Sequence, residues 1–403
     1  MTTSALPAPD APTPLTYARA RLLLGISGVG SAVLIATALL AFDLPTRILS
    51  ASVAQPLPDA VASLAVPLTL GALLFLPFDL LGGARLVRQR PALTAFLGRW
   101  LRGVAVQLAV ALAAASVVMA AARAGGGAAA IAAVLLLQLL LAALRAPLAR
   151  VIAATRVTEA PERLRHLARR AGIAPERIVL VDVADEGFVG GWSGIAGRTL
   201  LLPARWLALP DEALAATLLR RRIIADSGAH RRGVLGAIAW NTLGFALVSA
   251  WSGADVGSAA GMLTMAAGMT LWAFLGVLLL PTPSRAAVFA VDAAAAREGD
   301  AEALREAIDR LDRWLDDEER RSAGVETIFH PVPSRSARHA RLNDARADKA
   351  SHARDGQRAA LAWRAHHLAR HALWLGWATL SPISRLVHCN VGRPALWAML
   401  PGD

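Results

Sequence analysis

The chain has 403 residues, of which 55% are hydrophobic and 18% are charged, and its formal net charge is +12. Soluble domains carry about 45–50% apolar and about 25% charged residues, so this chain is more apolar than a typical soluble protein. The composition excludes a mainly disordered chain and indicates that part of the chain lies in a lipid membrane. The single cysteine, Cys389, excludes a disulfide scaffold and a structural zinc site with cysteine ligands.

Six long stretches without Asp, Glu, Lys, Arg or His predict transmembrane helices. They are Leu22–Phe42, Ala60–Phe78, Gly103–Ala122, Ala124–Leu144, Gly233–Ala254 and Val256–Ser284. About 20 apolar residues are enough for a helix to cross a bilayer core of about 30 Å. One such stretch could be a buried core helix, but six in one chain predict a multi-pass membrane protein. A basic chain could also bind nucleic acid, but a membrane protein with a basic cytoplasmic side is the stronger explanation, so no nucleic acid is expected.

Arginine in the connecting segments predicts the orientation. Five arginines lie in the range 85–102 and three in the range 145–156, whereas the turns on the other side hold only Arg47 and Arg123. Arginine near the end of a span resists translocation, so the arginine-rich side stays inside. Both termini and both soluble regions are therefore predicted to be cytoplasmic, in a bacterial inner membrane. The lipid bilayer is the expected partner.

The first soluble region, 151–232, has the pattern of a small α+β unit. Leucine and alanine at spacings of three and four predict a helix that includes Leu164–Ala171. Strands are predicted at Ile178–Val183, Phe188–Trp192 and Arg198–Pro203. A second helix is predicted to begin at Leu209–Glu212, which has a proline and two acids in its first turn, and to continue to about Asp226.

The second soluble region, 285–342, has helical patterns at Ala286–Arg297 and Ala301–Arg321. Residues 343–403 form a basic C-terminal helical region. Tryptophans with scattered arginines favour a position at the membrane interface or against the soluble unit. Residues 1–150 are predicted to form a membrane domain with four spans. Residues 151–232 and 285–342 are the two halves of a soluble unit, and residues 233–284 between them form a hairpin of two spans. Residues 343–403 are the basic C-terminal region.

Several short motifs follow one another in a fixed order between Pro161 and Leu342. They are Val181-Asp182, Gly187-Phe188, Leu209-Pro210-Asp211-Glu212-Ala213-Leu214, Ser284-Arg285, Asp292 and Phe329-His330-Pro331. In order and spacing they resemble the HtpX-like and CAAX-prenyl-protease-like membrane zinc metallopeptidases. The resemblance implies a mostly α, polytopic membrane protein of about six transmembrane helices with a small cytoplasmic α+β metallopeptidase-like domain.

The residues that carry the family's chemistry are missing at the matching positions. The zinc-binding motif HExxH falls on a segment in which Arg220 and Ile224 replace the two ligands and Arg221 replaces the general base. The third ligand falls on Val288, and of the family's ExxxD acids only Asp292 remains. Arginine offers no lone pair to a metal, so neither zinc, the family's cofactor, nor peptidase activity is expected. Arg220 or Arg221 is instead predicted to pair with Asp292 and fill the former zinc cavity.

Three interpretations of the function remain open. The first is an inactive pseudo-peptidase that holds a peptide segment or a partner protein by strand addition at Gly187, Phe188, Val189, Gly190 and Gly191. The second is an active membrane metalloendopeptidase with a displaced metal site at Asp226, His230 and Asp292. The third is a membrane scaffold without a groove. His367 and His371, which are four residues apart, are expected on the exposed face of a basic helix.

Overall fold

The computed structural model describes residues 17–86, 90–153, 156–183, 188–315, 318–347 and 364–387. The helices are α1 (Tyr17–Ala41), α2 (Leu44–Ile48), α3 (Leu57–Leu74), α4 (Leu76–Leu80), α5 (Leu93–Ala153), α6 (Glu162–Arg170), α7 (Asp211–Asp226), α8 (Ala229–Ser252), α9 (Ala259–Leu279), α10 (Pro281–Glu298), α11 (Ala301–Leu315), α12 (Ala323–Phe329), α13 (Arg335–Ala347), α14 (Leu368–Leu375) and α15 (Ile383–Leu386). The strands are β1 (Arg156–Thr158), β2 (Ile178–Asp182), β3 (Gly191–Ser193) and β4 (Thr199–Pro203).

Within the described ranges, five helices are long and apolar enough to cross a membrane, namely α1, α3, α5, α8 and α9. Helix α5 contains two of the six predicted spans. They are separated at Gly125 and Gly126, where the backbone leaves helical geometry. The φ angle of Gly126 is +67°, a conformation that is easy only for glycine. A straight helix of the 56 residues in this span candidate would be about 84 Å long, far more than a bilayer core of about 30 Å. The chain is therefore a multi-pass membrane protein whose longest helix is divided in two.

The turns predicted to face the outside meet at one end of the helix bundle. Arg123, just before the break in α5, donates from Nε to the carbonyl oxygen of Gly257 and from Nη1 to that of Gln55, each over 2.8 Å. The amide of Ala260 also donates to the carbonyl of Ser50 over 3.1 Å. These bonds join the α2–α3 connection, the break in α5 and the α8–α9 turn. Spans that alternate in direction place these three turns on the same side of the membrane.

The part of the chain that contains the sheet, called here the α+β unit, comprises β1–β4, α6, α7 and α10–α13. Its sheet has the strand order β1-β2-β4-β3, with β2 and β4 parallel and both edge strands antiparallel to their neighbours. Strands β2 and β4 match the prediction, but the predicted strand Phe188–Trp192 is shifted to Gly191–Ser193. The reason is conformational, because Gly190 has a φ of +69°, which is not an extended conformation. The chain passes close to β4 here, and a Cβ at Gly190 would lie only 2.2 Å from the carbonyl oxygen of Leu201. Strand β1 has no counterpart in the prediction, since its three exposed residues carry no alternating pattern.

One apolar core joins the sheet to the helices of the α+β unit. It contains side chains that are at most 1% exposed from β4, α6, α7, α10 and α11, for example Leu200, Leu164, Leu214, Val291 and Leu304. Helix α10 follows the membrane helix α9 almost without interruption, so the α+β unit is attached directly to the end of a span.

The C-terminal segment 364–387 packs inside the helix bundle and not at its surface. It also contacts the start of α10 in the α+β unit, where Arg364 donates to the carbonyl oxygen of Ala286 and the amide of Ala369 donates to Oγ of Ser284. Trp374 and Trp377 are 2% and 7% exposed and belong to the core formed by α3, α5, α8 and α9. Asn241 of α8 donates from Nδ2 to the carbonyl oxygen of Ala372 over 3.0 Å. Its helices α14 and α15 have only eight and four residues, too few to span a membrane, but its apolar side chains pack between the spans. Trp397 lies outside the described residues.

A buried ion pair fixes this segment against the N-terminal half of the bundle. Arg385 of α15 donates from Nη2 to Oδ2 of Asp79 in α4. The indole Nε1 of Trp100 in α5 donates to the same oxygen over 2.8 Å. Asp79 is completely buried and Arg385 is 4% exposed. Because an ion removed from water costs several kcal/mol unless it is paired, each of these two residues depends on the other.

We expect Asp79→Asn to lower the thermal unfolding temperature of the detergent-purified protein, because it leaves the Arg385 guanidinium buried without a counter-charge. Breaking a buried pair from one side typically costs about 3–5 kcal/mol. The double variant Asp79→Asn/Arg385→Met should recover part of the loss, and Asp59→Asn, at an exposed acid of α3, serves as the control. An Asp79→Asn variant as stable as the control would contradict the pairing.

Candidate functional site

Helices α7 and α10 carry the positions that the resemblance assigns to the metal site, and they pack against each other. Pro210 precedes α7, and Asp211 and Glu212 lie in its first turn, where negative charge favours the helix dipole. Three turns later the helix points Arg220, Arg221 and Ile224 inward, and each of these side chains is at most 3% exposed.

On α10, Val288 and Asp292 lie four residues apart and are 0% and 2% exposed. The site therefore lies in the interior of the protein, between the two helices to which the family resemblance assigns it. The predicted ion pair is present: Arg220 donates from Nε to Oδ1 of Asp292 over 2.5 Å.

A second arginine, Arg338 of α13, completes this site. It donates from Nε to Oδ2 of Asp292 over 2.7 Å and from Nη2 to Oδ1 over 3.0 Å. Arg338 is itself only 4% exposed. The three residues, called here the Asp292 cluster, bring together α7, α10 and α13. Two guanidinium groups thus bind one carboxylate, and both carboxylate oxygens are engaged.

The Asp292 cluster favours the ionised carboxylate. Burial opposes ionisation, but the charges of Arg220 and Arg338 and their hydrogen bonds outweigh it, so the pKa of Asp292 is held below its ordinary value. The net charge of the cluster is positive, because arginine stays protonated at any pH that the fold experiences.

The side chains at this site do not fit a zinc ion. Zinc is held by thiolate, imidazole or carboxylate groups, and the four positions of the ligands and base hold two arginines, an isoleucine and a valine. The carboxylate of Asp292 is already bound by two guanidinium groups. Within the described residues, no group of three or more His, Cys, Asp or Glu side chains could hold a metal ion.

The position of the family's general base has a structural contact instead. Arg221 donates from Nη2 to the carbonyl oxygen of Val189 over 3.0 Å, and its guanidinium lies 5.3 Å from the centre of the Trp206 ring. The indole Nε1 of Trp192 donates in turn to the carbonyl oxygen of Arg221 over 2.6 Å. These bonds attach α7 to the edge of the sheet.

The segment expected to bind peptide is covered in this structure. Phe188, Val189, Gly190 and Gly191 are buried, and Gly187 lies outside the described residues. Phe188 is 2% exposed and packs with Val181 and Leu201 beside the C-terminal end of α5. Its carbonyl oxygen accepts a hydrogen bond from Nη2 of Arg205 over 2.9 Å. The backbone that would pair with a peptide is thus partly occupied by the protein's own arginines.

The three residues of the displaced metal site are not brought together. The carboxylate of Asp226 is 66% exposed and lies 3.6 Å from Nε of Arg222. The Nε2 of His230 lies 2.7 Å from the carbonyl oxygen of Gly194. Asp292 belongs to its own cluster with Arg220 and Arg338. Each potential ligand therefore has a different neighbour.

His367 and His371 are buried rather than exposed, which corrects the prediction from the sequence. Both are 3% exposed. The Nδ1 of His371 lies 3.0 Å from Nη1 of Arg145, and its ring meets that of His230 edge-on at 5.2 Å. The prediction was wrong because it assigned the basic C-terminal residues to a solvated helix, whereas this part of the chain enters the bundle.

We expect Asp292→Asn to destabilise the protein by about 3–5 kcal/mol, because two buried guanidinium groups lose the carboxylate that both of them bind. The matched control is Glu306→Gln on α11, whose pair with Arg310 is about 40% exposed on both sides and should contribute little. Chemical unfolding in detergent, followed by tryptophan fluorescence, measures both. Equal stability of the two variants would show that the Asp292 cluster does not hold α7, α10 and α13 together.

Comparison with known proteins shows a similar fold among solved structures. Neither a protein-family model nor a curated protein matches the chain. Among solved structures, the crystal structure of Ste24p from S. mikatae is similar with a TM-score of 0.65 and 14% sequence identity, over 81% of this chain and 86% of that chain. At this sequence identity the similarity shows a shared fold, and it supports the predicted mostly helical, multi-pass architecture with a small sheet.

Proposed function

We propose that this protein is a catalytically inactive membrane protein with a metallopeptidase fold, and that it acts as a scaffold at the membrane. The observation that carries the proposal is the Asp292 cluster, in which Arg220 and Arg338 bind both oxygens of the carboxylate. A closed set of ionic hydrogen bonds replaces the metal, the nucleophilic water and the base that hydrolysis would need at this place.

The side chains at the site support an absence of peptide hydrolysis. A zinc peptidase needs a Lewis acid that activates water and a base that accepts its proton. Arg221 cannot accept a proton, because the guanidinium remains protonated. Ile224 and Val288 offer neither charge nor lone pairs. A function that depends on binding or on shape does not need these groups.

The buried edge segment favours a scaffold over a peptide-binding pseudo-peptidase. Strand addition requires free backbone donors and acceptors on an accessible edge. Here the carbonyl groups of Phe188 and Val189 accept hydrogen bonds from Arg205 and Arg221. A partner protein would therefore bind to another surface of the α+β unit or of the spans.

We expect the purified protein to contain far less than one zinc ion per chain and to leave casein and unfolded membrane substrates intact. Metal content is measured by mass spectrometry of the digested protein, after incubation with zinc and removal of the excess. Stoichiometric zinc that is lost in the His230→Ala variant would contradict the proposal and support the displaced site. Hydrolysis that a chelator stops would contradict it as well.

The orientation in the membrane is part of the same proposal, with the α+β unit and both termini in the cytoplasm of a bacterium. Its basis is the arginine bias together with the meeting of the arginine-poor turns at one end, where Arg123 binds Gly257 and Gln55. A reporter that is active only in the periplasm should work when fused in the turn at Asp255 and stay silent when fused after Pro331. The opposite pattern would invert the orientation.

A further inference from the structure

Three histidines of the C-terminal segment and one histidine of α8 are buried together beside an arginine of α5. This group, called here the histidine cluster, consists of His366, His367, His371, His230 and Arg145. Each of these side chains is at most 6% exposed. The ring centres of His366 and His367 are 4.0 Å apart, and those of His230 and His371 are 5.2 Å apart. The histidine cluster therefore lies where the C-terminal segment meets two of the spans.

The backbone of the C-terminal segment lies directly against α8. The amide of His366 donates to the carbonyl oxygen of Ala229 over 3.1 Å. A Cβ at Gly233 would lie 2.1 Å from the carbonyl oxygen of His366 and 3.2 Å from Cδ2 of His371. Because glycine has no Cβ, it allows this close approach. The segment is thus held at a distance that leaves no gap between the two backbones.

The space beside these side chains is too small to hydrate an ion. A cavity lined in part by Arg145, His230, His371 and Trp374 has a volume of about 10 Å³. This is about the volume that a single water needs. An imidazolium formed here would exchange the many waters of its hydration shell for one water at most, which makes the charged form costly.

The hydrogen bond between Arg145 and His371 requires a neutral imidazole. Nη1 of Arg145 lies 3.0 Å from Nδ1 of His371. A guanidinium has donors and no acceptor, so Arg145 donates and Nδ1 of His371 accepts. The proton of the neutral ring is therefore on Nε2. A second proton would have to sit on Nδ1, where it would remove the acceptor and point at the guanidinium.

Among the described residues, the groups that act on His371 all oppose a positive charge there. Burial, followed by the charge of Arg145 and by the three other histidines of the cluster, holds the pKa of the His371 imidazole well below its ordinary value. The adjacent residue Arg370 is also basic, and it acts on His330. Helix α9, which packs against α14, contains neither charged residues nor histidines. Helix α10 contacts the segment through Oγ of Ser284, which is uncharged.

We propose that protonation of His371 releases the C-terminal segment from between the spans. Near neutral pH, the neutral ring accepts from Arg145 and the segment stays packed against α5, α8 and α9. In acid, the imidazolium is stable only where water reaches it, so the segment leaves and the space between these helices opens. This acid-sensitive release goes beyond the proposed scaffold function and does not rest on it.

The direction of the pH effect follows from the two states of the segment. In the released segment, the imidazole of His371 titrates near the ordinary histidine pKa of about 6.5, whereas in the packed segment it stays neutral to lower pH. Below about pH 6.5 the released state therefore binds a proton that the packed state does not, and packing weakens about tenfold for each pH unit. Between pH 7.5 and pH 5.0, one such histidine favours release by about thirtyfold.

Hydrogen–deuterium exchange of the full chain in detergent measures the release, because the amides of α14 exchange only when the segment opens. The protection of each peptide is compared at pH 7.5 and pH 5.0, after correction for the intrinsic exchange rates. We expect peptides from α14 to lose about thirtyfold in protection at the lower pH. Peptides from α9, which has no titratable side chain, should keep their protection.

Three substitutions identify the histidine responsible. His371→Asn offers Oδ1 to Arg145 in place of Nδ1 and cannot be protonated, so the protection of α14 should change by less than about threefold between the two pH values. His166→Asn, at an exposed histidine of α6, should keep the full pH dependence. His230→Gln should keep most of it, because Nε2 of His230 faces the carbonyl oxygen of Gly194, and protonation leaves that donor in place.

Three results would overturn the proposal. Equal protection of α14 at the two pH values in the wild type would exclude an acid-sensitive release. An equal loss of protection in α9 would show that acid loosens the whole bundle and not the C-terminal segment. These two comparisons need no variant. Full pH dependence in a folded His371→Asn variant would assign the titration to another group.

Discussion

The carboxylate of Asp292, buried between two arginines, is the interaction on which the α+β unit depends. Arg220 and Arg338 reach it from α7 and α13, while Asp292 itself belongs to α10. A buried ion is tolerated only when its partners and hydrogen bonds offset the loss of water. The three helices are therefore fixed relative to one another by charge in addition to apolar packing.

A second buried pair performs a similar task in the membrane part. Asp79 and Arg385 are separated by most of the chain, and their pairing holds the C-terminal segment among the spans. Trp100 adds a hydrogen bond to the carboxylate, and its ring lies 5.6 Å from the Arg385 guanidinium. Both pairs connect segments that are distant in sequence. One pair fixes three helices within the α+β unit, and the other fixes the C-terminal segment against the N-terminal half of the bundle.

The sequence predicted the local features well, because local signals encode them. The bounds of α7, Asp211–Asp226, follow from a proline with two acids at its start, and β2 and β4 follow from runs of branched and aliphatic residues. The pairing of Arg220 with Asp292 was predicted from the family resemblance, which indicates which residues of the two helices face each other. The resemblance gave no such support to the displaced metal site at Asp226 and His230, and the structure does not bring these residues together with Asp292.

What the sequence did not reveal depends on contacts between distant segments. Arg338 lies in a basic stretch that resembles a solvated helix, and nothing local indicates that it turns toward Asp292. The same holds for His371 and Trp374, whose burial results from the entry of the C-terminal segment into the bundle. Phe188 and Val189 have the composition of an edge strand, but the positive φ of Gly190 bends the chain away before a strand can form there.

X-ray diffraction at the zinc absorption edge, from crystals grown with excess zinc, can determine whether the arginine side chains exclude a metal ion from the space between α7 and α10. We expect no anomalous peak there, with the guanidinium groups of Arg220 and Arg338 both against the carboxylate of Asp292. An anomalous zinc peak in that space, with Asp292 or His230 among its ligands and Arg338 turned away, would contradict this expectation.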